Sequence, residues 1–269
     1  MTIGINYIGQ SGELQGCIND SNNFRQFAET ELDSQVVQTV QMIDTLSMSD
    51  PLYPTKEHIE GELVRLVEQA WNGDFSHVLF HYSGHGGHQA DVSGDEHDGR
   101  DETLAPVDYS SQGTILDDWL HENLINALPS GVHLFGLIDA CHSGTMLDLR
   151  YKINKKGRRY ELINPQSSEL SNAMMISGCR DVQYSYDVWD KEHGAVGAMT
   201  TEWLRQMKST QKRKRKRKRK QKQKTTVLQV VKRMGRALKK QGYPQTPQLS
   251  ASQRLHRRQR IYGLEGVGN

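Results

Sequence analysis

The chain reads as an α/β protein: a three-layer α/β/α sandwich around a mostly parallel central sheet. Three observations predict this. Short apolar runs alternate along the chain with segments whose apolar residues recur at helical spacing. Strands separated by helices pair in parallel, with helices covering both faces. Two of the apolar runs, Val78-Leu79-Phe80 and residues 132–138, each end in a small-residue turn that carries one reactive side chain, His85 and Cys141. Reactive groups just past the carboxyl ends of strands fit the general rule for open α/β sheets.

In chain order, residues 2–8 read as a first strand, closed by a Gly/Ser turn over 9–12. Residues 19–30 read as a helix with Asn19 or Asp20 as N-cap and Phe24, Phe27 and Ala28 on one face. Residues 36–42 form a plausible second strand. Thr55-Lys56-Glu57-His58 opens the next helix without a capping box, and Glu57 suits its first turn. Ile59, Leu63, Leu66, Val67 and Ala70 then make its apolar stripe. A strand over 78–80 leads to an acidic loop over 91–102. A helix over 117–128 precedes the strand at 132–138. Residues 150–168 are polar and lysine-rich and read as a linker, followed by a strand over 173–177 and helices over 197–207 and 226–238. The basic stretch at about 208–225 reads as a solvated insertion, because Lys and Arg at that density repel. With a short linker and no internal repeat, residues 1–269 are expected to form one catalytic domain.

A chain of 269 residues can bury one sizeable core. The mean hydropathy is −0.71, and no apolar run reaches the roughly 18 residues a membrane span needs. No secretory signal is visible at the N-terminus. Three cysteines, Cys17, Cys141 and Cys179, are too few for a disulfide framework and argue for a reducing compartment, cytoplasmic or nuclear. The net charge of +2 hides a division: residues 1–200 hold 12 basic and 30 acidic side chains, and residues 201–269 hold 22 and 2. An acidic body attracts cationic substrates or a metal ion. The basic part suits an acidic partner, nucleic acid or the body of its own chain.

Cys141 and His85 are the parts of a Cys-His nucleophilic site. A lone cysteine at a strand end is more often a small buried hydrophobe. The small-residue turn around Cys141, and a histidine in the matching place, favour catalysis instead. The imidazole lowers the thiol pKa or takes its proton, then protonates the leaving amine. Backbone N–H groups of Gly86 and Cys141 are the expected oxyanion donors, since glycine permits close approach. No third orienting residue is identifiable. His77, His81, His85 and His88 share a four- and three-residue spacing, but strand-then-turn sequence between them spoils a zinc-binding helix face. His81, His88 and His142 read as packing or rim residues, and Cys17 and Cys179 as structural. Asp139 lies two residues before the nucleophile, where its carboxylate can enter the cleft. Asp20 can reach the same rim, or can cap a helix.

Taken in order, Gly4-Ile5-Asn6-Tyr7, Gly16-Cys17-Ile18-Asn19-Asp20, His81 through Gly87, Gly94-Asp95-Glu96, Ala105-Pro106-Val107-Asp108, Asp139 through Gly144, Ser177-Gly178-Cys179 and the segment 245–250 resemble the metacaspase branch of the caspase-like cysteine peptidases. The resemblance covers roughly residues 1–205 and again 226–255. Cys141 follows His85 by 56 residues, close to the caspase separation of about 50. The animal caspase form of the cysteine motif, Gln-Ala-Cys-Arg-Gly, is absent, and only Thr2-Ile3 stand where the family's first strand carries more apolar residues.

The resemblance implies a caspase-like fold and a short-linker, type I-like peptidase. It also implies that Asp20, Ser83 and Asp139 line a pocket for a substrate Arg or Lys at P1, the residue before the cut bond. Asp101, Asp117, Asp118 and Asp148 match carboxylates that in several metacaspases bind an activating, non-catalytic calcium ion. Oxygen-rich clusters suit Ca²⁺; Asp117 or Asp118 could equally cap a helix, and Asp148 could be a surface charge. Protein or peptide substrates follow. The Lys/Arg segments at 155–159 and 212–220 become candidates for self-cleavage, and the second is also a candidate for nuclear import or nucleic-acid contact. The rival reading is a catalytically inactive caspase-fold scaffold that acts by binding.

Overall fold

A computed structural model of the chain describes residues 1–32, 38–90, 100–141, 143–153, 160–165, 167, 172–178, 187–190, 194–216, 225–243, 245–256 and 258–261. The elements run β1 (Thr2–Gly4), α1 (Cys17–Leu32), β2 (Gln41–Ile43), α2 (Lys56–Trp71), β3 (His77–Ser83), β4 (Gly86–Ala90), β5 (Arg100–Leu104), α3 (Tyr109–Gln112), β6 (Ile115–Leu116) and α4 (Asp117–Leu120). A π turn (His121–Ile125) then leads to β7 (His133–Asp139), β8 (Tyr151–Ile153), β9 (Tyr160–Leu162), β10 (Asn172–Ser177), β11 (Asp187–Asp190), β12 (Gly194–Gly197), α5 (Ala198–Lys216), α6 (Val227–Lys240) and β13 (Gln248–Ala251).

Eight strands form the central sheet in the order β2-β1-β3-β7-β10-β13-β8-β9. The first five are mutually parallel, and β13, β8 and β9 join antiparallel. The mostly parallel sheet expected from the alternation of runs is therefore present. Side chains of β7 alternate between the two faces, as a strand requires. Leu134 and Ile138 pack with Ile59, Leu63 and Val67 of α2 and with Leu120 and Leu124. Phe135 and Leu137 pack with Phe24 and Phe27 of α1, Trp203 of α5 and Met234 of α6. Helices thus cover both faces.

Local chemistry explains the helix starts. Thr55 caps α2, its hydroxyl accepting the His58 N–H at 3.3 Å, and Thr226 with Gln229 forms a capping box on α6. The first helix begins earlier than expected, at Cys17, because the Asn6 side-chain oxygen accepts the N–H groups of Cys17 and Ile18 at 3.0 and 3.3 Å. Neither Asn19 nor Asp20 is its cap: both lie within the first turn, and Asp20 is directed elsewhere.

Four further expectations are corrected. The stretch over 150–168 is not only linker, because Tyr151–Ile153 and Tyr160–Leu162 are strands of the central sheet. The acidic loop gives way at Arg100 to β5, which pairs antiparallel with β4, and residues 91–99 lie outside the described residues. The helix expected over 197–207 continues to Lys216, into the basic stretch. Lys and Arg are good helix formers singly, and that propensity prevails over the charge argument for this part. The second strand is short, and residues 36 and 37 of its expected span lie outside the described residues.

Candidate active site

The parallel register between β3 and β7 sets the site. It pairs His77 with His133 and ends with Ser83 opposite Asp139. His85 and Cys141 each stand two residues beyond that last pair, so the two turns leave the sheet side by side. The turns touch at Gly86. A Cβ atom there would lie 2.2 Å from the Cys141 carbonyl oxygen and 3.1 Å from the Ala140 Cβ, so only glycine permits the approach. Ala105 donates its N–H to the His85 carbonyl at 3.2 Å, in the same register as the Gly86–Leu104 pair. Antiparallel pairs alternate between bonded and non-bonded. The Gly86 N–H therefore points away from β5.

His85 is oriented by the main chain. Its Nε2 lies 2.6 Å from the carbonyl oxygen of Gly12. A carbonyl can only accept, so Nε2 carries the proton and Nδ1 is the basic nitrogen. Among the described residues Nδ1 has no hydrogen-bond partner. The third orienting group that could not be found in the sequence is this carbonyl. The available signal was Gly12 itself, a turn glycine at φ +86°. Cys141 is half-buried, Cys17 is buried, and neither thiol is in a disulfide.

The two expected pocket carboxylates converge. Asp20 is 1% exposed and Asp139 is 3% exposed. A Cβ on Gly197 would lie 2.4 Å from an oxygen of each, so both carboxylates flank the same glycine. Ser83 donates its hydroxyl to Asp20 at 2.8 Å, and the Gly197 N–H reaches both Asp20 oxygens at 2.9 Å. Asp139 accepts the N–H and the hydroxyl of Thr200, at 2.9 and 3.0 Å. Gly197, the last residue of β12, immediately precedes α5 and Thr200 lies in its first turn; the positive end of that helix suits two anions. Behind them His81 is fully buried, stacked on Phe24 at 4.7 Å, with Nε2 3.3 Å from the Thr200 hydroxyl and Nδ1 3.0 Å from that of Thr2. Burial pushes its pKa down to about 3, so the imidazole is neutral. His81 is thus the packing residue expected, and Thr200 is a site residue that the sequence did not single out.

A second acidic group brings the start of α4 together with the segment that follows Cys141. One carboxylate oxygen each of Asp117, Asp118 and Asp148 falls within 4.8 Å of the others, and Asp117 and Asp148 are buried. Asp117 accepts the Glu102 N–H at 2.7 Å and the Asp118 N–H at 2.9 Å. Asp148 sits at φ +46°, a region where Asp is tolerated better than most residues. Asp101, buried on β5, is not a member of this set.

The remaining residues scatter. His77 begins β3 and stacks on His133 at 5.2 Å, while exposed His88 lies 2.7 Å from Arg100. Cys179, His142, Asp95 and the segment 154–159 are outside the described residues, as is 217–224 of the basic run. Among the described residues no helix is long and apolar enough to cross a membrane.

A thiol and an imidazole on touching turns at the carboxyl end of a parallel sheet define a thiol-nucleophile hydrolase of caspase-like architecture. The family description "Metacaspase, peptidase C14 domain" matches residues 1–150. Metacaspase-1 of Meyerozyma guilliermondii is 31% identical over 299 aligned positions, covering 94% of this chain and 68% of the relative. Metacaspase-1 of Arabidopsis thaliana is 36% identical over 280, covering 93% and 74%. Metacaspase-1 of Eremothecium gossypii is 44% identical over 158, covering 58% of this chain and 34% of the relative. A solved protein from Geobacter sulfurreducens shares the fold, with a TM-score of 0.59 at 22% identity, over 93% of this chain and 91% of its own. The chain belongs to the metacaspase family, peptidase C14, and is by family a cysteine peptidase, a hydrolase acting on proteins.

Proposed function

We propose that the chain is a calcium-stimulated endopeptidase that cuts after Arg or Lys, with Cys141 as nucleophile and His85 as base. His85 Nδ1 takes the Cys141 proton. The thiolate attacks the scissile carbonyl carbon, forming a C–S bond, and the oxyanion is held by the N–H groups of Gly86 and Cys141. As the C–N bond breaks, the imidazolium returns its proton to the leaving amine. His85 then deprotonates a water that splits the thioester, releasing the carboxylic acid and the thiol.

The observation that carries the specificity is the convergence of Asp20 and Asp139 on Gly197, with Ser83 bonded to Asp20. Asp139 is separated from Cys141 by one residue, so the acidic group adjoins the nucleophile. A P1 guanidinium can bond one carboxylate in bidentate fashion and reach the other, whereas a Lys ammonium is a single point charge. Arg is therefore preferred to Lys, and both greatly to Asp. Fluorogenic peptides identical except for Arg, Lys or Asp at P1, assayed with and without Ca²⁺, test this. Equal cleavage after Asp and Arg would refute the acidic pocket.

Asp117, Asp118 and Asp148 would hold the calcium ion: three carboxylates offer up to six hard oxygen donors, and Ca²⁺ takes about six to eight. Bound there, the ion would supply positive charge that ties the start of α4 to the loop that follows Cys141. Asp101 would stand outside that immediate set. The same P1 preference makes the Lys/Arg segments at 155–159 and 212–220 self-cleavage sites. Intact-mass spectrometry of the wild type against Cys141→Ala would reveal such cuts, and identical masses would refute them.

A further inference from the structure

The catalytic histidine is held by more than the Gly12 carbonyl. Its peptide N–H donates to the Tyr7 hydroxyl at 2.8 Å. Its carbonyl accepts from the Tyr82 hydroxyl at 2.7 Å. Tyr7 in turn donates to the Ala105 carbonyl at 2.7 Å, and the two phenol oxygens lie 3.2 Å apart. Each hydroxyl has one proton, and the donors balance: Tyr7 gives to Ala105, Tyr82 gives to His85, and the His85 amide gives to Tyr7. Both rings are fully buried. Burial holds both phenols protonated, with the Tyr82 pKa pushed up from its usual value.

Tyr7 does more than bond. Its ring packs on the His85 imidazole with centroids 4.5 Å apart and planes at 34°. Its backbone lies at φ +56°, a genuine outlier for a bulky side chain. Such conformations persist only where surrounding contacts over-determine them, and they gather at functional sites. Here the left-handed turn directs the chain from β1 into the loop that carries Gly12 to Nε2. One residue therefore fixes the His85 peptide, the imidazole face and the path of the loop that sets its tautomer.

We infer that Tyr7 and Tyr82 are positioning residues for the general base, a buried two-phenol clamp that holds His85 at the distance and tautomer Cys141 requires. This rests on the reading of His85 as the base of Cys141. It extends that reading to two residues that never meet substrate. The clamp joins Tyr7, at the exit of β1, to Tyr82 on β3, so the aim of the base is set by the strand that pairs with the one delivering the thiol and by the strand beyond it.

The test uses the full chain with Tyr7→Phe, Tyr82→Phe, the double variant and His85→Ala. Phenylalanine keeps the rings and removes only the hydroxyls. Two readouts are needed: kcat and KM on an Arg peptide, and the pH dependence of Cys141 alkylation by iodoacetamide, which needs no P1 pocket. For Tyr7→Phe the expected result is a fall in kcat of about tenfold to a hundredfold, the scale of a base displaced by a fraction of an ångström to about 1 Å, with KM within about twofold. The alkylation midpoint moves to higher pH, because a displaced imidazole supports the thiolate less well. Tyr82→Phe shows the same signs, and the double variant loses less than the two single losses combined, since one network is broken. An alkylation profile unchanged from wild type in both single variants overturns the clamp, even if peptidase activity drops. If His85→Ala also leaves that profile unchanged, the dyad reading itself falls. If Tyr7→Phe does not fold, Tyr82→Phe alone decides, since it leaves the outlier backbone in place: a shifted profile supports the clamp and an unchanged one overturns it.

Discussion

Replacing Gly86 by alanine would place a methyl carbon 2.2 Å from the Cys141 carbonyl oxygen. Real Cβ atoms essentially never approach closer than 3.0 Å, and 3.4 Å is ordinary contact, so the turns must part by about 0.8 to 1.2 Å. The obstructing atom is main chain, and no rotamer change relieves it. Two functions share that displacement: the Gly86 N–H moves away from the oxyanion, and His85, the preceding residue, moves away from the thiol. A misplacement of about 1 Å costs on the order of a hundredfold in rate, so kcat/KM on an Arg peptide should fall by about that factor. Overpacking of this kind costs about 1–3 kcal/mol of stability, so the variant should still fold. Urea unfolding and peptide hydrolysis on the same preparation separate the effects. A variant that retains at least half of the wild-type kcat/KM would refute the idea that the turns are in contact during catalysis.

Replacing Asp117 and Asp118 together by Ala removes two hard ligands and should abolish Ca²⁺ stimulation while leaving basal alkylation of Cys141 intact; unchanged Ca²⁺ binding by calorimetry would contradict the assignment. His81, with its pKa lowered to about 3 by burial, binds fewer protons folded than unfolded, so stability should fall as the pH drops from about 6.5 towards 3. The contribution is about 1.4 kcal/mol per pH unit, and urea midpoints for His81→Asn that keep the wild-type pH slope would exclude it. Asp139→Asn should weaken transition-state binding of Arg and Lys peptides by about 2–5 kcal/mol, and iodoacetamide labelling of Cys141 as fast as in wild type would place the loss in the pocket.

The elements that hold the dyad were legible because they are buried on both faces. β3 and β7 read as continuous apolar runs, and the turns after them carry their reactive residues in plain view. Strands β8 and β9 were hidden for the opposite reason. At the sheet edge and beside it, strands can be three residues long and carry Glu161 and Lys152, so nothing in their composition differs from a linker. The extension of α5 was missed because two rules conflict over Lys and Arg: each favours a helix alone, and together they repel. At the site, side-chain chemistry was readable and main-chain chemistry was not. The Gly12 carbonyl that orients His85 has no residue type to announce it, and the Asn6 cap that starts α1 at Cys17 acts across eleven residues. That early start changes what Asp20 is. Freed from capping, its carboxylate turns to Ser83 and Gly197.

Two buried carboxylates facing one glycine would repel each other unless something offsets their charge. The start of α5 does so in part, with the Gly197 N–H on Asp20 and the Thr200 N–H and hydroxyl on Asp139. Neutral His81 supports this from behind: if the Thr200 proton is given to Asp139, the Thr200 oxygen is left to accept from His81 Nε2–H. These donors hold the carboxylates in place but bring no full positive charge. A substrate guanidinium or ammonium would bring one. A P1 aspartate would instead add a third anion. For unit charges about 4 Å apart in a medium of effective dielectric about 20, each such contact is worth about 4 kcal/mol, attractive for Arg and repulsive for Asp. Even if solvent and movement of α5 removed most of that energy, a remaining difference of about 3–4 kcal/mol would separate the two by a factor of a few hundred in kcat/KM. A measured Arg-to-Asp ratio below about ten, which is less than about 1.4 kcal/mol, would mean that the α5 donors have already neutralised the pair, and that Asp20 and Asp139 are held there to build the fold and not to select the substrate.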